Sequence, residues 1–197
     1  MNRIRSRSKD HVWQIAKALC LFLMCVGAVD AGSPYPFVAK NFDVPVVLET
    51  KHFRLRMLTV GDVVKDYDAV MSSAGHLQSV WPGSSWPTGL TLEQNLIDLG
   101  WHQKEFQRRR SFAYTVVELD ESRVIGCVYI NPSRKAGYDA VVYLWTRPPD
   151  QTDVIDEDTL RTAVRSWLKD EWPFKSAVFP GTDISWEDWE EVDEVKR

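Results

Sequence analysis

Cysteine is scarce in this chain, and its placement excludes a disulfide framework. Cys20 and Cys25 share an N-terminal apolar stretch, while Cys127 stands alone in an apolar segment. Once the first stretch is removed, no intrachain disulfide can form, and Cys127 reads as a small core residue with no cation placed to make it reactive. An excess of positive charge is missing too: the net charge is −4, which offers nucleic acid no electrostatic footprint. The basic run Arg108–Arg110 reads as the solvated end of a helix, where it complements the helix dipole. His52, His76 and His102 lack ligand-like spacing, so no metal site is expected. There is no Gly-x-Ser-x-Gly elbow and no catalytic Cys/His signature. The longest apolar run, Ala18–Val29, is about 12 residues, short of the roughly 20 that span a bilayer.

That run is informative for another reason. Arg3, Arg5, Arg7 and Lys9 precede it and Val29-Asp30-Ala31 follows it, which together make a signal peptide over residues 1–31 with cleavage after Ala31. Cleavage predicts an exported protein, periplasmic or secreted, with no stable membrane anchor and a net charge of about −7. An uncleaved anchor and a buried N-terminal helix of a cytoplasmic protein are the other readings. Residues 32–47 form a Pro-containing leader without periodicity, draped over the surface or disordered. Residues 48–180 suffice for one domain with a core, and residues 181–197 form an acidic, Trp-bearing tail.

Periodicity orders the domain. Phe53–Leu58 alternates apolar and basic residues, the pattern of a strand with one wet face. Thr59 and Asp62 make a capping box for a helix carrying Val63, Tyr67, Val70 and Met71 and ending at Gly75. Trp81-Pro82-Gly83 and Trp86-Pro87 mark a loop. Thr91 and Gln94 cap a second helix with Leu92, Leu96, Leu99 and Phe106 along one stripe. Short connections then make an antiparallel meander of Phe112–Leu119, Val124–Ile130 and Ala140–Thr146. Asp156 and Thr159 begin a third helix with Leu160, Ala163, Val164, Trp167 and Leu168 inward, stopped by Pro173. Lys175–Phe179 is a last short strand.

Strand, helix, helix, three meandering strands, helix and short strand, with Phe53-Arg-Leu-Arg-Met-Leu-Thr-Val-Gly-Asp62 in front and Arg123-Val-Ile-Gly-Cys-Val-Tyr-Ile130 inside, resembles the GNAT family of acetyl-CoA-dependent N-acetyltransferases. The resemblance covers roughly residues 48–180 and implies an α/β fold: a mixed, mostly antiparallel sheet flanked by helices. It further implies acetyl transfer from acetyl-CoA to a primary amine, on a small molecule or a protein. Such enzymes hold the pantetheine arm along the fourth strand and the pyrophosphate at the start of the next helix. The matching positions here are Tyr143, Leu144, Trp145, Thr146 and Arg147. The family's two loop glycines are replaced by Pro149–Thr152, and its last helix and final strands have little room after Phe179.

Attack of an amine on a thioester needs a proton acceptor, a donor to the carbonyl oxygen and a proton for the leaving thiolate. Glu118 and Asp139 are the carboxylates nearest the ends of central strands, and Tyr143 and Tyr129 are the phenols on them. His76 adjoins the Trp-Pro loop. Each also has a structural reading: a solvated turn for Glu118, a loop terminus for Asp139, core packing for the tyrosines. Trp81, Trp86, Trp186 and Trp189 support a second hypothesis, an exported, non-catalytic module binding a small ligand or a protein partner, although Trp186 and Trp189, three apart, can also simply pack the tail back onto the sheet. The enzyme reading requires the Tyr143–Arg147 edge to be free. The binding reading requires the tail to cover it and the Trp81 and Trp86 loop to be exposed.

Overall fold

A computed structural model describes residues 36–152 and 154–195. The predicted signal peptide and the first residues of the leader lie outside them. Six strands form one sheet in sequential order: β1 Val47–Glu49, β2 Phe53–Met57, β3 Phe112–Glu118, β4 Val124–Pro132, β5 Ala140–Thr146 and β6 Ala177–Val178. The first five are antiparallel neighbours, as short connections dictate, and β6 returns parallel to β5 after a helical crossover. The helices are α1 Val63–Ser72, α2 Ala74–Val80, α3 Leu92–Gln107, α4 Glu157–Glu171 and α5 Trp186–Glu191.

The sheet separates two apolar layers. On one face Phe53, Leu55, Tyr114, Val116, Ile125, Val128, Ile130, Val142 and Leu144 meet Leu160, Val164, Trp167 and Leu168 of α4. The other face puts Val117, Cys127 and Trp145 under Ala69 and Val70 of α1, Leu77 of α2 and Leu99 of α3. Gly126 sits where β4 and β5 come closest: a Cβ there would lie 2.2 Å from the Trp145 carbonyl oxygen, so the Ile-Gly pair of the strand has a steric cause.

Three expectations need correction. The helix predicted to end at Gly75 ends at Ser72, and Gly75 lies inside the separate helix α2. Helix α3 forms with the expected Thr91–Gln94 capping box, but its buried side is rotated. Leu92 and Leu96 are 45% and 44% exposed, whereas Asn95, Leu99 and Phe106 are buried. The leader is not merely draped. From Phe37 onward it packs on the α4 layer: Phe37 stacks on Phe112 and Phe174, Val38 is buried, and Phe42 meets Trp172. The tail packs back onto the sheet, as the spacing of Trp186 and Trp189 allows, through α5, whose Ser185 cap receives the Asp188 N–H. Trp189 is buried against Val141 and Val178.

Candidate active site

β5 and β6 make a wedge. Only Ala140 and Val141 pair with β6, so the two strands part beyond Val141. Backbone polar groups on an unpaired edge need partners, and this edge is where the resemblance places a pantetheine arm. The five predicted cofactor residues spread around it. Leu144 faces the α4 layer, Trp145 is buried on the opposite face, Thr146 is buried, and half-buried Tyr143 stacks on Trp186 of the tail at 6.2 Å between ring centres. Trp186 in turn lies against Gly181, where a Cβ would come within 2.6 Å of its indole nitrogen. Trp81 and Trp86 meet edge to face at 5.5 Å and pack, half-buried, on the core. The side chain of Tyr143 is thus covered by Trp186 of the tail.

The wedge ends at a loop built differently from what a pyrophosphate wants. Asp156 caps α4 by accepting the Thr159 N–H at 2.7 Å, and Glu157 and Asp158 follow in the first turn. The helix start, ordinarily a place for an anion, is therefore supplied with carboxylates of its own. Hydrogen bonds from Thr159 hold Asp156 below the usual carboxylate range. Glu157 also meets His76 Nε2 of α2 at 2.9 Å, which brings that helix against the α4 start. Arg147 is buried, not presented. Its Nε donates to the Val124 carbonyl at 2.8 Å, Nη1 to Ser72 Oγ at 2.6 Å and Nη2 to Asp68 at 2.5 Å.

Of the predicted catalytic residues, the two carboxylates stand far from Tyr143. Asp139 accepts the backbone N–H groups of Lys175 and Ser176, fastening the start of β5 to the chain entering β6. Glu118 accepts from Ser122 Oγ and lies 3.5 Å from Arg123 at the opposite end of the sheet. Tyr143 is four residues from Asp139, about 13 Å along the strand. Its register neighbour on β3 is Ala113, five residues from Glu118 and so about 17 Å away along that strand. The three are not brought together.

What the fold does assemble is a buried polar cluster under α1 and α3. Register places Thr115, Cys127 and Trp145 side by side across β3, β4 and β5. Asp66 of α1 descends on them, accepting from Asn95 Nδ2 at 2.9 Å and from Cys127 Sγ at 3.6 Å. Burial pushes the Asp66 carboxyl up to about 6, against the lowering effect of Asn95 and Cys127. Burial, and then Asp66, hold the Cys127 thiol well above its usual range, and burial first of all raises the Tyr129 phenol as well. The Trp145 indole N–H and the Thr115 hydroxyl are buried without a hydrogen bond, the former beside the Tyr129 hydroxyl. His102 of α3 covers the Tyr129 ring at 5.1 Å, and burial lowers its imidazole to about 4. The cluster thus buries a carboxyl that exchanges its proton near pH 6 beside Cys127 and Tyr129, and the strand partner of Tyr129 is Tyr143.

Periodicity could have found part of this. Asp66 lies four residues before Val70, and Asn95 four before Leu99 and seven before His102, polar residues at inward helical positions. Cys127 and Tyr129 were legible only as strand residues, because their company depends on which helix face lies over them.

Solved structures supply a likeness of fold. No family model matches the chain, and no curated protein does. A ribosomal-protein-S5-alanine acetyltransferase from Vibrio fischeri aligns with TM-score 0.50 and 18% identity over 64% of this chain and 68% of that one. A GnaT-family acetyltransferase from Bordetella pertussis aligns with TM-score 0.50 and 12% identity over 68% of this chain and 77% of its own. At such identities the likeness is one of fold, and the fold is that of the GNAT acetyltransferases.

Proposed function

We propose that this chain is an acyltransferase that lays the pantetheine arm of acetyl-CoA along Val142–Thr146 and passes the acetyl group to an amine beside Tyr129 and Tyr143. The observation that carries the reading is the wedge between β5 and β6 in a sheet of GNAT topology. The amine nitrogen bonds to the carbonyl carbon, the carbon–sulfur bond breaks, and the amine's proton must reach an acceptor. Asp66, reached through Cys127 and Tyr129, serves as the acceptor in this reading, and its carboxyl, raised to about 6, suits proton exchange near neutrality. The acidic start of α4 argues that the donor's diphosphate is held weakly there.

A second reading, a non-catalytic module of the same fold, is favoured by Trp186 lying over Tyr143. The export reading supports it too, because acetyl-CoA is a cytoplasmic metabolite. Calorimetric titration of acetyl-CoA into the purified protein separates the two. The acyltransferase reading expects saturable binding, weaker than micromolar. Folded protein that shows no heat at millimolar ligand would replace that reading with the binding module.

A further inference from the structure

The anion site that α4 has lost has a counterpart on the other side of its loop. A hollow of about 300 Å³ opens between α1, the β3–β4 turn and the β5–α4 loop, lined by Lys65, Asp68, Ser122, Arg123 and Arg147. Three cations and one carboxylate in one recess are unexpected in a chain whose net charge is negative. Their charged ends are fixed around it. Lys65 Nζ donates to the Glu121 carbonyl at 2.6 Å, Arg123 Nη2 to the Gln151 carbonyl at 2.9 Å, and Arg147 is held by Val124, Ser72 and Asp68. Gln151 ties the β5–α4 loop to the end of α1 by donating to the Ser72 carbonyl.

Those bonds do not exhaust the donors. An ammonium carries three N–H groups and a guanidinium five, whereas the bonds made use one on Lys65, two on Arg123, whose Nη1 also donates to Glu118 Oε1 at 3.5 Å, and three on Arg147. Pre-positioned donors of this kind suit a group with several acceptor oxygens more than a halide. Asp68 occupies one side of Arg147, Glu118 stands 3.5 Å from Arg123, and Lys65 adds to the lowering of the exposed Asp120 carboxyl that Ser122 begins. A doubly charged oxyanion therefore gains more here than a singly charged ion, with Lys65 and Arg123 at the exposed rim and buried Arg147 contributing its charge from the wall.

We propose that the hollow bounded by Lys65, Arg123 and Arg147 is a phosphate-binding site, made of side-chain cations rather than of helix N–H groups. It stands apart from the acyl-transfer reading: the phosphate could be inorganic, or the terminal group of a larger ligand. The test is a thermal melt of the full protein in inorganic phosphate against chloride at equal ionic strength, with Lys65→Ala/Arg123→Ala as the variant. Lys65 and Arg123 reach solvent, so the variant should keep its fold. The expected result is a midpoint that rises with phosphate and not with chloride, and an apparent Kd weakened by at least about tenfold in the variant. Equal shifts in both ions, or in both proteins, would overturn the site. If the variant does not melt cooperatively, the Arg123 Nε–H resonance of the unaltered protein decides. It should move saturably with phosphate, and an unmoved resonance refutes the proposal. Adenosine 3′,5′-bisphosphate then identifies the source. Binding about tenfold tighter than phosphate assigns the site to a nucleotide end, and equal binding assigns it to free phosphate.

Discussion

Asp66 is where this protein works against its own stability. Its carboxyl titrates near 3.8 in a free chain and at about 6 in the folded one, so the native state keeps a proton that the unfolded chain has released. The stability associated with this group is fully present below about pH 4 and is lost as the pH rises through 6, by about 3 kcal/mol in all. Asp66→Asn should therefore become more stable relative to the parent as pH rises from about 4 to about 7, by roughly 3 kcal/mol less any loss at Cys127. Urea denaturation across that range reads the difference directly. Parallel pH profiles for the two proteins would show that Asp66 is not ionised at the expense of the fold.

Glycine gives a second contrast at the same scale. Gly126→Ala would drive a methyl into the Trp145 carbonyl, and should cost at least about 3 kcal/mol by parting β4 from β5. Gly75 lies inside α2, and a methyl added there would meet nothing within 4 Å, so Gly75→Ala should stabilise by about 0.5–1 kcal/mol. Chemical denaturation of both variants checks the pair, and a mild effect at Gly126 would contradict the close approach.

Elements were legible in the sequence to the extent that their partners were local. β2, β3, β4, β5 and α4 follow from alternation, turn residues and a capping aspartate, all of which act within a few positions. The inward face of α3 did not follow. Its two best apolar candidates, Leu92 and Leu96, point to solvent because Asn95 is drawn inward by Asp66 of another helix. Helix α2 was hidden by Gly75, a residue that ends helices more often than it joins them. Among the site residues, the phenols were visible as strand residues, whereas the Asp66–Cys127 contact spans 61 positions and arises only from packing. At the start of α4 the capping aspartate was legible, and that cap carries a functional prediction. In a variant combining Asp156→Ser, Glu157→Gln and Asp158→Asn, serine keeps an oxygen for the Thr159 N–H while the three charges go. Acetyl-CoA should bind at least about tenfold more tightly, since the dipole would then face the diphosphate uncompensated. Unchanged affinity by calorimetry would mean that the diphosphate lies elsewhere.

At the scale of the whole molecule, the question is where the folded unit begins. Cleavage after Ala31 would leave Gly32 only a few residues ahead of the first buried contact. Phe37 donates its N–H to the Arg109 carbonyl, and Arg109, at φ 60°, returns Nη2 to the carbonyls of Ala39 and Phe42. The leader is thereby clamped across the end of α3, with Phe37, Val38 and Phe42 filling the space beside Phe112, Phe174 and Trp172. Removing these three side chains should cost roughly 5 kcal/mol, about the whole stability of a marginal domain. A protein starting at Gly32 should accordingly melt with the midpoint of the full chain, while one starting at Asp43 should lose cooperative melting or drop by more than about 15 °C. Equal midpoints for the two truncations would place the leader outside the folded unit. If the Gly32 form alone matches the full chain, residues 1–31 are dispensable to the fold, as a removable signal requires. The amino terminus of the protein isolated from cells then shows whether they are in fact removed.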